Sequence, residues 1–88
     1  MKMMIRMVHV KFFALLRSNH RVSELSVEAS DMKELTDEIL LKVPSLSKEE
    51  LKQAVIFINN KKVMHEKRFN EKLEDGDVVV FTNFVGGG

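Results

Sequence analysis

Two short runs, Ala54-Val55-Ile56-Phe57-Ile58 and Val78-Val79-Val80-Phe81, are apolar at every position and rich in β-branched and aromatic side chains. Runs this brief read as strands rather than helices, and their unbroken apolarity predicts sheet-interior strands covered on both faces. The rest of an 88-residue chain must supply the cover. That length makes one small domain, which buries only about 60–65% of the surface its unfolded chain exposes. The core is therefore thin. Cysteine is absent, which excludes disulfides, thiolate metal sites and thiol catalysis. A self-contained enzyme with a deep pocket does not fit this economy; a carrier, adaptor or small subunit does.

The remaining elements follow from periodicity. From Met7, Val8, Val10 and Phe12 alternate with His9 and Lys11, the pattern of a half-buried strand. Phe13-Ala14-Leu15-Leu16-Arg17 drops the alternation and suits a short helical turn or loop. Val22 to Val27 predicts a second strand with Leu25 and Val27 inward, joined to the first by a tight connection as an N-terminal hairpin. Asp31-Met32-Lys33-Glu34 has capping-box spacing and opens a helix whose stripe is Met32, Leu35, Ile39, Leu40 and Val43. Pro44 ends it. A second box, Ser47-Lys48-Glu49-Glu50, starts a helix of one or two turns ending near Gln53. Asn59-Asn60 can take the positive φ values of a hairpin turn, returning the chain through Val63 and Met64. Glu74-Asp75-Gly76-Asp77 is a turn before the final strand. The predicted fold is α+β: a roll in which a mixed sheet of about five strands grasps one main helix. Its first strand can run parallel to its last only if both are central.

Chemistry is sparse along most of the chain. His9, His20 and His65 lack ligand spacing and read as surface histidines, so no metal site is expected. Gly76 is the sole glycine before the terminus, so no phosphate loop exists. No serine sits in a nucleophile elbow, and the acidic pairs Asp37-Glu38 and Glu49-Glu50 read as solvated helix faces. The net charge of +1 hides segregation: residues 1–21 carry five bases and no acid. If the first strand and the 61–68 hairpin lie together, one face is basic. All six aromatics are phenylalanines spread along the chain, which argues against base stacking and for an acidic protein partner rather than nucleic acid. Arg6, His9 and Lys11 interrupt the N-terminal apolar run, so no export signal is read there. No stretch approaches the ~20 apolar residues of a membrane span. The expected location is the cytoplasm.

The terminus differs. Phe84-Val85 leads directly into Gly86-Gly87-Gly88 with no polar linker. Residues without Cβ atoms form a thread that enters channels too narrow for side chains, and both faces of the last carbonyl stay open to attack. A terminal carboxylate is ionised at neutral pH and is a poor electrophile. Conversion to an acyl-adenylate by a partner makes it reactive: sulfide then yields a thiocarboxylate, and a lysine amine yields an amide.

Three segments together resemble the β-grasp sulfur carriers: Lys11-Phe12-Phe13-Ala14-Leu15-Leu16-Arg17, Leu73-Glu74-Asp75-Gly76-Asp77-Val78-Val79-Val80-Phe81, and Val85-Gly86-Gly87-Gly88. Within them the chain looks most like the small subunit of molybdopterin synthase (MoaD), with the thiamine sulfur carrier (ThiS) as a relative. The resemblance spans residues 7–88 and implies a ubiquitin-like β-grasp domain with a flexible tail, 84–88. Residues 1–6 are then an N-terminal extension. It further implies that Gly88 is adenylated by an E1-like adenylyltransferase, which uses ATP, and is converted to a thiocarboxylate. The carrier binds no cofactor itself. Val85, Gly86 and Gly87 enter the large synthase subunit, where sulfur passes to precursor Z, and that subunit holds the catalytic site. Phe13, Phe81 and Phe84 are the expected partner contacts. Thiazole synthase is the alternative partner, and a ubiquitin-like modifier the alternative role. Asn83-Phe84 stands where molybdenum-type tails usually carry a proline pair, and Lys62 and Thr82 stand where some relatives place apolar contacts.

Overall fold

A computed structural model describes residues 5–64 and 70–83. Eight elements run in the order β1 (Met7–Phe12), α1 (Ala14–His20), β2 (Glu24–Glu28), α2 (Met32–Lys42), α3 (Lys48–Gln53), β3 (Val55–Ile58), β4 (Lys61–Lys62) and β5 (Val78–Thr82). The strands form one mixed sheet, β2-β1-β5-β3-β4. β1 and β5 are both interior and run parallel, with His9 opposite Val78 and Phe12 opposite Phe81. The other pairings are antiparallel. This is the expected α+β β-grasp arrangement.

Alternation along β1 works as read: Val8, Val10 and Phe12 are buried and their neighbours are exposed. They meet Val79 and Phe81 of β5, Ile56 of β3, and Met32, Leu35 and Ile39 of α2 in one core. At its centre the rings of Phe12 and Phe81 stack with centroids 5.7 Å apart, a geometry worth about 0.5–1.5 kcal/mol beyond the area buried. The starts of α2 and α3 are capped from within. Asp31 accepts from the Glu34 N–H at 2.8 Å, and Ser47 and Glu50 form a reciprocal capping box. Glu34 departs from the expected box, accepting from the Ser30 N–H at 2.8 Å. Asp31 is extended here and bridges Lys72, which ties the 71–73 segment to the start of α2. Thr36, the one polar residue buried as a whole among the described residues, donates to the Met32 carbonyl at 2.8 Å.

Three expectations need correction. The β1–β2 connection is not tight: α1 fills it, held down by its buried Leu16. β3 and β5 are not covered on both faces. Ile56, Val79 and Phe81 are buried, whereas Val55, Phe57, Val78 and Val80 are only half-buried. The physical reason is supply, since α2 covers one face and, among the described residues, no second apolar layer faces the other. His20, finally, is not a surface histidine. Its side chain is 8% exposed, with Nε2 2.8 Å from Glu50 Oε2 and Nδ1 2.7 Å from Ser45 Oγ. The contact pins the end of α1 to the start of α3. Glu50's second oxygen accepts from the Ser47 N–H at 3.0 Å, so both carboxylate oxygens serve structure.

Turns are fixed by local chemistry. Asn59 and Asn60 have φ of 50° and 72°, the left-handed pair of a two-residue hairpin. Gly76, at φ +88°, makes the turn into β5 that a side chain would strain. Arg6 already belongs to the fold, its carbonyl accepting from the Ala29 N–H at 3.1 Å.

Two predictions follow from this packing. Phe81→Ala should lower unfolding free energy by about 3–5 kcal/mol in urea titrations, the cost of deleting a core phenylalanine. The hydrogen bond from His20 holds the Glu50 carboxyl below its ordinary range, aided by Ser47 and opposed by partial burial. A carboxyl with a depressed folded pKa adds stability that is complete above its unfolded pKa. That stability is lost as pH falls through the folded value. Thermal unfolding followed from about pH 6 down to pH 3 should show this loss, and Glu50→Gln should remove it.

Candidate functional site

β5 is the middle strand of the five and the last one in the chain. Whatever follows Asn83 therefore departs from the centre of the sheet, beside the start of α1. Two hydrogen bonds define that departure point. The Phe13 N–H donates to the Phe81 carbonyl at 3.0 Å, and the Leu16 N–H donates to Asn83 Oδ1 at 2.7 Å.

The face of the sheet left open by the single helix layer reaches the same end. Register sets its side chains in rows: Lys11 lies beside Val80, Val80 beside Phe57, and Phe57 beside Lys62. Lys11, Phe13, Phe57, Asn60, Val78 and Val80 line a shallow depression on it. Phe13 is 44% exposed at one rim. An adjoining groove takes in Val55, Lys62 and Met64, the last 60% exposed. Lys11 and Lys62 bracket the apolar pair at a distance of about 14 Å, three strand spacings. Apolar surface at the centre with lysines at the edge is complementary in chemistry to a surface that is apolar with acidic borders.

Of the residues singled out in the sequence, Phe13 lies on this face. Phe81 does not. It has 0% exposure and packs on Phe12, so it is a core residue and cannot touch a partner. The reason is parity: Phe81 shares the inward face of β5 with Val79, while Val80 and Thr82 share the outward one. Phe84, Val85, Gly86, Gly87 and Gly88 lie outside the described residues. Lys62 and Thr82 both belong to strands of the open face. The first strand and β4 are not neighbours, since β5 and β3 separate them. Their lysines still share the row through Val80 and Phe57.

Sequence reasoning missed Phe57, Val78 and Val80, which it assigned to the interior. The signal was available: one amphipathic helix covers one face of a sheet, so half of each apolar run had to stay uncovered. It also missed Asn83, whose clue is that Phe13 offers no side chain to cap α1.

Elsewhere, chemistry is thin. Among the described residues, no group of three His, Cys, Asp or Glu side chains is placed to hold a metal ion. No helix of the described residues is long and apolar enough to cross a membrane.

Comparison with known proteins identifies the lineage. The profile of the ThiS family matches residues 10–88, nearly the whole chain. The chain belongs to the ThiS family. Among solved structures similar to this ThiS-family chain is the complex of subunits 1 and 2 of the molybdopterin-converting factor of Helicobacter pylori. That match has 33% identity, covers 93% of this chain and 99% of the other, and has a TM-score of 0.68. Small archaeal modifier protein 1 of Methanosarcina acetivorans is similar in fold, with 24% identity, 97% and 99% coverage and a TM-score of 0.77. So is the Amycolatopsis orientalis BexX/CysO complex, with 21% identity, 92% and 99% coverage and a TM-score of 0.73. No curated protein matches the chain significantly in sequence. The family is one of ubiquitin-like sulfur carriers and modifiers built on the β-grasp fold.

The assignment of faces is testable with one pair of near-isosteric changes. Val79→Thr buries an unpaired hydroxyl and should cost about 1–3 kcal/mol in urea unfolding. Val80→Thr, on the open face, should stay within about 0.5 kcal/mol of the parent.

Proposed function

We propose that this ThiS-family chain is the sulfur carrier of molybdopterin synthesis, with Gly88 as its working terminus. The carboxylate of Gly88 attacks the α-phosphate of ATP on an E1-like adenylyltransferase, forming the acyl-adenylate and releasing pyrophosphate. Sulfide delivered by a donor displaces AMP and leaves a thiocarboxylate. The charged carrier then docks on a synthase large subunit, which holds the catalytic site, and yields its sulfur to precursor Z. The carrier is a non-catalytic partner that binds no cofactor, ATP being used by the activating enzyme.

One observation carries the reading. An open apolar face, rimmed by Phe13, Lys11 and Lys62, runs along β5 and reaches, through Phe13, the end of the strand that leads to the glycine terminus. A bare terminus loses about 1–2 kcal/mol of conformational freedom for every residue a partner orders. The body must supply affinity to offset that loss, and this face is where it can. The molybdopterin arm is favoured by the Helicobacter pylori complex, which pairs a similar chain with a second subunit. The family profile keeps the thiamine arm as the second reading, with thiazole synthase as its partner.

Incubation with an activating enzyme, ATP and a sulfur source should replace one oxygen by sulfur at Gly88, seen by mass spectrometry of the C-terminal peptide. Phe57→Lys should leave the fold intact and weaken capture by the partner at least about tenfold, because it places a charge amid the desolvated apolar contacts. Co-purification of a synthase large subunit supports the molybdopterin arm. Recovery of thiazole synthase instead transfers the chain to the thiamine arm, and ladders of lysine conjugates would make it a modifier.

A further inference from the structure

We propose that Asn83 is a positioning residue, whose side chain closes the start of α1 and so fixes the root of the segment that ends in Gly88. The inference rests on the carrier reading above and adds to it the device that registers the terminus against the docking face.

α1 begins without a cap of its own. Phe13 holds the cap position, with φ −131° and ψ 170°, and its ring has no acceptor to offer. The first N–H groups of a helix have no partners inside it. Leu16 occupies the third helical position, where a local Ser or Asp would normally accept. Here the acceptor comes from 67 residues away, Asn83 Oδ1 at 2.7 Å. Leu16 is buried, so its N–H has little access to water as a substitute. The neighbouring Phe13 N–H is held by the Phe81 carbonyl at 3.0 Å. β5 is therefore stapled to α1 twice, through backbone at residue 81 and through a side chain at residue 83.

This arrangement links two functions through one short element. The start of α1 presents Phe13 to the open face and grips the last described residue before the tail. A partner seated on that face thus meets the tail root at a set offset. Five residues beyond Asn83 span at most about 16–18 Å. A root free to wander by several ångströms would remove a sizeable part of that reach and scatter the approach of the carboxylate. Holding a reactant in near-attack geometry is where such an anchor affects rate.

The test is steady-state ATP–pyrophosphate exchange on a purified E1-like adenylyltransferase, with this chain as the variable substrate. Asn83→Ala should lower kcat about tenfold or more, while KM for the chain stays within about twofold, because the docking face is untouched. Asn83→Asp keeps an acceptor at the helix start, where negative charge is also favourable, and should restore kcat. In the isolated protein, hydrogen exchange at the Leu16 amide should quicken in the alanine variant alone. If that variant does not fold, Asn83→Gln, which displaces the amide by one methylene, takes its place with the same expectation. Wild-type kcat in Asn83→Ala, a loss confined to KM, or failure of Asn83→Asp to rescue would each overturn the proposal while leaving the carrier reading intact. A wild-type chain that no such enzyme activates would overturn the carrier reading, and this proposal with it.

Discussion

The parallel pairing of β1 with β5 is the contact on which the rest of the structure depends. It joins residues 9–12 to residues 78–81, almost the full length of the chain apart. Ordering so long an intervening loop is entropically costly, and the return is the stacked pair Phe12–Phe81 with the core built around it. The same pairing makes the last strand the middle strand. In an open sheet the middle strand is hydrogen-bonded on both sides and is the least prone to local opening. If the terminus is the working end, as proposed, it is attached to the most rigid origin the fold provides. An end leaving an edge strand would not be.

That rigidity matters because the chain has one layer of helix and two faces of sheet. Apolar residues on β3 and β5 exceed what α2 can cover, and the excess forms the open face. In a protein with no partner, half-buried Phe57, Val78 and Val80 with exposed Phe13 and Met64 would be a liability. Beside the exit of a glycine thread they have a use. In the proposed carrier reading, affinity resides in the body and chemistry in the terminus, so a partner would bind the face while the terminus enters a narrow channel.

Much of this was legible in the residues. Alternation from Met7 gave the inward set of β1, the two capping spacings located α2 and α3, and Asn59-Asn60 gave the hairpin with its positive φ values. What failed shares one cause, namely that local pattern does not count layers. An unbroken apolar run looks the same whether one or both of its faces are covered, so the pattern reads β3 and β5 as fully interior and gives no sign that Phe81, which the resemblance makes a partner contact, faces the core. α1 was half-seen because Phe13 offers no local cap, and its cap lies in β5's extension, where no spacing rule looks. His20 reads as a surface side chain in the sequence because its partners, Ser45 and Glu50, are distant along it. Nonlocal polar contacts are invisible until the topology is known.

The open face and the anchored root also constrain each other. If only the face mattered, the chain could leave the sheet through any loose segment, and Asn83 would have no reason to reach back to Leu16. If only the terminus mattered, Lys11 and Lys62 would have no reason to frame an apolar row. Both occur within a few residues of the same sheet end, connected through Phe13 and the first turn of α1. A short thread has little slack, so the distance between where the body is gripped and where the thread begins is itself a determinant of reactivity. In the proposed reading, one strand register and one side-chain hydrogen bond set where that thread begins.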